Sequence, residues 1–176
     1  EVLEEGRRLA REQGWDKLVA VVAGGARRQD SVRAGLEALG PCEWVVIHDG
    51  ARPCLSEALI ERGLEAAQET GGAIAAVPAR DTIKTVGPDG MVAATPARDS
   101  LWLVQTPQLF RYDIIRRAYQ MPDQEATDDA TLVERMGYRV KVFMGSYANI
   151  KVTTPEDVAV AELYLKRGIR LVEASA

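Results

Sequence analysis

Trp44, Val45, Val46 and Ile47 form an unbroken apolar run that halts on His48, Asp49 and Gly50. A strand with no polar face belongs in a sheet covered on both sides, as parallel sheets of α/β proteins are. In such sheets ligands gather at the carboxyl ends of the strands. Asp49 and Arg52 fall at that edge with opposite charges, and Gly50 between them permits a backbone turn closed to residues with a β-carbon. The pair suits a hydroxyl-rich, phosphorylated ligand; it equally suits a loop cap in which Arg52 merely neutralises Asp49.

The surrounding pattern alternates in the same sense. Residues 1–13 carry a modest helical stripe that Gly14 ends, and 17–25, KLVAVVAGG, read as a buried strand entering a glycine turn. Asp30 and Ser31 cap a predicted helix bearing Val32, Leu36 and Leu39, which Gly40 and Pro41 stop. A helix over 56–70 and the strand AIAAVPA at 73–79 follow. This order predicts a parallel sheet with right-handed crossovers. From residue 82 the rhythm changes: TIKTV, the turn Pro88-Asp89-Gly90 and MVAAT predict a hairpin or projecting arm. LWLVQTPQLF at 101–110 reads as a strand broken at Thr106-Pro107. Helices at 113–119 and from about Thr127, a strand at 138–145 and a helix capped by Thr154, with Pro155 first and Glu156 and Asp157 in its first turn, complete the chain.

With 176 residues, 47% of them hydrophobic, the chain suits one domain with a proper core. A net charge of −4 argues against a general nucleic-acid binder, so any phosphate site must be local. Two cysteines, Cys42 and Cys54, make neither a metal-ligand spacing nor a disulfide framework, which points to a reducing cytoplasm. No apolar run reaches the roughly 20 residues of a membrane span. The opening helix lacks both a Met and a preceding strand, so an N-terminal part of the domain is expected to be missing.

Several further residues are candidates for chemistry. Gly24 and Gly25, before a capped helix, would let a flat ring or phosphate approach the backbone, though a plain strand-to-helix turn needs the same glycines. Arg27 and Arg28 add charge there, as solvated loop arginines also would. Lys151, at a predicted strand end facing a helix N-terminus, suits a phosphate. Arg80, Lys84, Arg98 and Thr106 lie near the arm and the following strand. His48 points away from Asp49 on an alternating strand and reads as structural.

Taken in order, GGARRQDSV (24–32), HDGARP (48–53), ARDTIK (79–84), LVQTPQLF (103–110), TDDA (127–130) and NIKVTTPEDVAVAE (149–162) closely resemble the 2-C-methyl-D-erythritol 4-phosphate cytidylyltransferases of the non-mevalonate isoprenoid pathway. The resemblance covers nearly the whole chain. It implies a Rossmann-like, three-layer nucleotidyltransferase fold, α/β with a mostly parallel sheet, over residues 1–176, with 82–100 as a β-arm for dimerisation. It also implies a reaction: a phosphate oxygen of methylerythritol phosphate attacks the α-phosphorus of CTP, and pyrophosphate leaves. Such transfers are driven by positioning and charge neutralisation, here by lysine and by Mg²⁺ held mainly on the CTP phosphates, with no protein metal ligands.

By the same resemblance, Gly24, Gly25 and Ser31 look like contacts to CTP, and Asp49 bridges ribose and substrate hydroxyls. Lys151 looks like the α-phosphate lysine, catalytic with Asp49. Arg52, Thr82, Arg98 and Thr106 look like the methylerythritol phosphate pocket, Thr82 and Arg98 serving a neighbour's site in a cytoplasmic homodimer. Ala26 departs from the Asp of some relatives. The family's N-terminal strand and glycine-rich loop have no counterpart in residues 1–23, which leaves open a catalytically silent dimerising remnant; a cytidylyltransferase for another polyol phosphate such as ribitol phosphate stays open because it shares much of the fold and pocket residues separate such substrates poorly.

Overall fold

The computed structural model describes residues 2–122 and 125–167. Its elements run α1 (Val2–Glu12), α2 (Arg28–Ala38), β1 (Trp44–Ile47), α3 (Glu57–Ala67), β2 (Gly72–Pro78), β3 (Thr85–Val86), β4 (Val92–Ala94), β5 (Trp102–Arg111), α4 (Tyr112–Gln120), α5 (Asp129–Arg135), β6 (Lys141–Met144) and α6 (Pro155–Arg167). Four strands form one sheet in the order β1-β5-β2-β6, and β3 and β4 form a separate hairpin.

The alternation of side chains along each strand divides the core between two faces. Ala73 and Ala75 of β2 and Leu109 of β5 pack with Leu59 and Ala67 of α3. Their neighbours Ile74 and Phe110 point the other way, into a cluster with Leu36 of α2, Ile114, Ile115 and Ala118 of α4, and Leu132 and Val133 of α5. The result is helix, sheet, helix. α3 is capped by Ser56, whose hydroxyl accepts the Leu59 N–H at 3.2 Å. It ends short of the expected Thr70 because Gly71, at φ +81°, returns its N–H to the Ala67 carbonyl.

Three expectations need correction. The sheet is mixed: β1, β2 and β6 share a direction, but β5 runs against them between β1 and β2, so only β2 with β6 is a parallel pairing. β5 also continues through Thr106-Pro107, a cis peptide, instead of stopping there. Pro107 brings no N–H, and it falls where the β2–β5 register shifts between Ile74 and Ala76, so the ladder makes no demand on it. Residues 17–25 form no strand. All but the half-buried Val21 lie exposed, across a groove of about 610 Å³ from β1, with Leu18, Val19 and Val22 facing Val45, Val46 and Ile47 without pairing to them. Apolar composition records a tendency to be covered, whereas a strand also needs a neighbour's backbone about 4.8 Å away. Two boundaries also move: α2 starts at Arg28, with Asp30 acting from inside its first turn on the Arg27 N–H at 3.2 Å, and the strand expected over 138–145 contracts to β6.

Among the described residues no helix is long and apolar enough to cross a membrane.

Candidate active site

The loop after β1 turns back at once, the Arg52 N–H donating to the Asp49 carbonyl at 2.9 Å, and the segment 149–152 closes beside it, Val152 N–H donating to the Ala51 carbonyl at 2.8 Å. Two pieces of chain a hundred residues apart thereby bring their charges to one place. Asp49 Oδ2 lies 3.3 Å from Lys151 Nζ and 3.8 Å from Arg52 Nε, while Asp49 Oδ1 accepts Arg28 Nε at 2.9 Å. Asp49, Arg52, Thr106, Lys151 and Arg28 line a cavity of about 450 Å³.

Thr106 is buried and fixes the carboxylate's backbone: its Oγ1 accepts the Asp49 N–H at 3.0 Å. His48 Nε2 lies 2.9 Å from the Arg52 carbonyl, which can only accept, so Nε2 carries the proton and Nδ1 receives the Thr106 hydroxyl at 3.1 Å. His48 is thus a brace joining β5 to the Arg52 loop, in keeping with its structural reading. Arg52 is held from behind, donating to the Asn149 carbonyl at 2.7 Å, and Asn149 donates to the Thr106 carbonyl at 2.7 Å. The Arg52 Nε is buried without a hydrogen-bond partner.

Electrostatics favour the ionised acid. Burial pushes the Asp49 carboxyl up, but the hydrogen bond and charge of Arg28, then Lys151, outweigh it and hold Asp49 below the usual carboxylate range. Burial lowers the Arg52 guanidinium, partly countered by Asp49. Three cations about one carboxylate make the site locally positive in a chain of net charge −4.

Gly24, Gly25 and Ser31 also meet. The Gly25 N–H donates to Ser31 Oγ at 3.1 Å, and a β-carbon on Gly24 would stand 2.6 Å from that oxygen. Ser31 lines the larger groove together with Arg28, Asp49 and Gly50, so Arg28 and Asp49 form the wall common to both cavities. Thr82 and Arg98 do not join them within one chain. Both are exposed beside the hairpin, Arg98 donating to the Arg80 carbonyl at 2.9 Å. Sequence reasoning discounted Arg28 and passed over Asp129, Gln108 and Asn149. The available signal was TDDA: an acid in the first turn of a buried helix needs a cation, and Arg28 donates to the fully buried Asp129 at 2.7 Å.

An α/β fold whose strand-end cavity gathers three cations around one ionised carboxylate suits an enzyme of the nucleotidyltransferase class. Residues 2–167 match the family model for 2-C-methyl-D-erythritol 4-phosphate cytidylyltransferase, and the chain belongs to that family. It is 52% identical over 166 residues to the 2-C-methyl-D-erythritol 4-phosphate cytidylyltransferase of Dehalococcoides mccartyi strain 195, covering 94% of this chain and 73% of that protein. The crystal structure of 4-diphosphocytidyl-2C-methyl-D-erythritol synthase from Anaerococcus prevotii superposes with a TM-score of 0.83 at 35% identity, over 92% of this chain and 78% of that one. The 2-C-methyl-D-erythritol 4-phosphate cytidylyltransferase of Thermus thermophilus gives 0.75 at 38% identity, over 82% and 72%.

Proposed function

We propose that the chain transfers CMP from CTP to 2-C-methyl-D-erythritol 4-phosphate, releasing pyrophosphate, and that the Asp49 cluster is where it does so. The observation carrying this reading is the carboxylate held on one oxygen by Arg28 and on the other by Lys151, on a cavity wall shared with Arg52 and Thr106. Lys151 is nearly half exposed, free to swing from Asp49 to the α-phosphate, where its charge offsets that developing on the equatorial oxygens. Asp49 then receives hydroxyls of ribose and polyol. Arg52 offers a planar fork to the phosphate of methylerythritol phosphate, with Thr106 lining the same pocket. Ser31 lines the groove where the cytosine lies, with the Gly25 N–H donating to its hydroxyl from behind.

Among the described residues no group of three or more His, Cys, Asp and Glu is placed to hold a metal. Asp49 is already occupied by cations, a donor set that fits Mg²⁺ arriving on the CTP phosphates rather than on a protein cage. Once bound there, the ion supplies charge neutralisation.

Thr82 and Arg98, exposed beside the hairpin and away from their own chain's cavity, would serve a partner's site, which makes the working unit a homodimer joined at the β3–β4 arm. Exposed Val86, Met91 and Val92 on that arm support this, as a small apolar surface invites cover. The test is pyrophosphate release from CTP, Mg²⁺ and methylerythritol phosphate, with ribitol phosphate as competitor substrate. Release that falls roughly 100- to 1,000-fold in Lys151→Ala, with an unchanged melting temperature, is expected. Turnover indifferent to Lys151, or preference for ribitol phosphate, would overturn the assignment.

A further inference from the structure

Arg28 joins the site to the interior. Its Nε donates to Asp49 Oδ1 at 2.9 Å and its terminal nitrogen to Asp129 Oδ2 at 2.7 Å. Asp129 is fully buried and receives Tyr119 Oη on its other oxygen, while its own N–H donates to Gln108 Oε1 at 3.1 Å, as does the Ala130 N–H. Gln108 lies on β5, two residues beyond Thr106, and its Nε2 donates to Asp128 Oδ2 at 3.0 Å. The far end of the guanidinium is therefore clamped in the core by α4, α5 and β5 together. The near end holds one oxygen of Asp49 and leaves Oδ2 to Lys151 and Arg52 on the cavity side.

We propose that Arg28 is a positioning residue for Asp49: anchored on the buried Asp129–Tyr119 pair, it fixes the carboxylate's rotation so that Oδ2 alone meets the ligand. A guanidinium can span two carboxylates at fixed angles, whereas a lysine ammonium is a single point of charge. The inference rests on the cytidylyltransferase reading for its kinetic consequence and on geometry alone for its structural one. Its bland competitor is that Arg28 serves only to neutralise a buried acid. The charged groups facing Asp49 are Arg28 from α2, Arg52 from its own loop and Lys151 from the segment after β6, with His48 one step away through Thr106.

Two measurements separate these possibilities. The first is the titration of the Asp49 carboxyl by carbon-13 NMR in the wild type, Arg28→Lys and the double variant Arg28→Gln/Asp129→Asn, which needs no turnover. The Asp49 midpoint is expected to rise in both variants, more in the double one, and an unmoved midpoint would overturn the proposal. The second is kcat and KM for pyrophosphate release in the same proteins. The double variant removes the part-buried Arg28 charge together with the buried Asp129 charge it faces, and its melting temperature is measured alongside; with positioning lost, its kcat/KM stays about tenfold or more below wild type. Recovery of wild-type kcat/KM in the double variant would show that Arg28 only neutralises Asp129. Preference for ribitol phosphate while the NMR midpoint still rises in the variants would sink the functional reading and leave the positioning standing.

Discussion

Single residues here owe their behaviour to who stands behind them. Asp49 and Arg52 were legible in the sequence because HDGARP sets an acid and an arginine just past the end of β1, and Thr106 only through the resemblance that QTPQ carries, since it stands inside β5. Their supports, Asn149, Gln108 and Asp129, were not, since a buried polar side chain looks like any surface one until its partner is known. The same support fixes a pH response. Asp49 binds its proton less readily folded than unfolded, so its contribution to stability is fully present above the ordinary aspartate value near 4 and is lost as pH falls through its lower folded value. Urea unfolding at pH 3 and pH 6 is expected to show a smaller loss on acidification in Asp49→Asn than in the wild type. Equal losses would mean that Asp49 is not held by its cations.

Among the elements, α3 shows how packing overrides propensity. Gly63 lies mid-helix, where alanine ordinarily adds up to about 1 kcal/mol. A β-carbon there would stand 2.4 Å from Leu109 Cδ1 and 2.8 Å from Phe143 Cζ, both core atoms on the sheet. Overpacking typically costs about 1–3 kcal/mol, so Gly63→Ala is expected to destabilise, read as a lower urea midpoint with an unchanged slope. A raised midpoint would show that α3 can lift off the sheet freely. Helices were the easiest elements to read, as caps and periodicity lie within a few residues. Strand direction and the fate of residues 17–25 were not, because both depend on neighbours distant in sequence: nothing local to LWLVQTPQLF says that it enters the sheet against β1 and β2.

For the whole molecule, the one-chain site lacks Thr82 and Arg98, and the proposed homodimer supplies them from across the arm. A mixture of Arg98→Ala and Lys151→Ala chains tests this directly. Each variant alone has every site damaged, but a mixed dimer carries one site with neither change. Random pairing therefore restores about a quarter of the sites. Pyrophosphate release returning towards that level on mixing is expected. A mixture no better than its components would place Arg98 in its own chain's site or in none.

β5 gives this arrangement a mechanical character. Trp102, beside the stem of the hairpin, and Thr106, under the Asp49 loop, stand on one continuous strand, roughly 13 Å apart. No loop lies between them to absorb slack. If the proposed homodimer forms at the hairpin, a single strand, paired to β2 at Val77 and Pro78, would tie the surface that grips the second chain to the hydroxyl beneath Asp49.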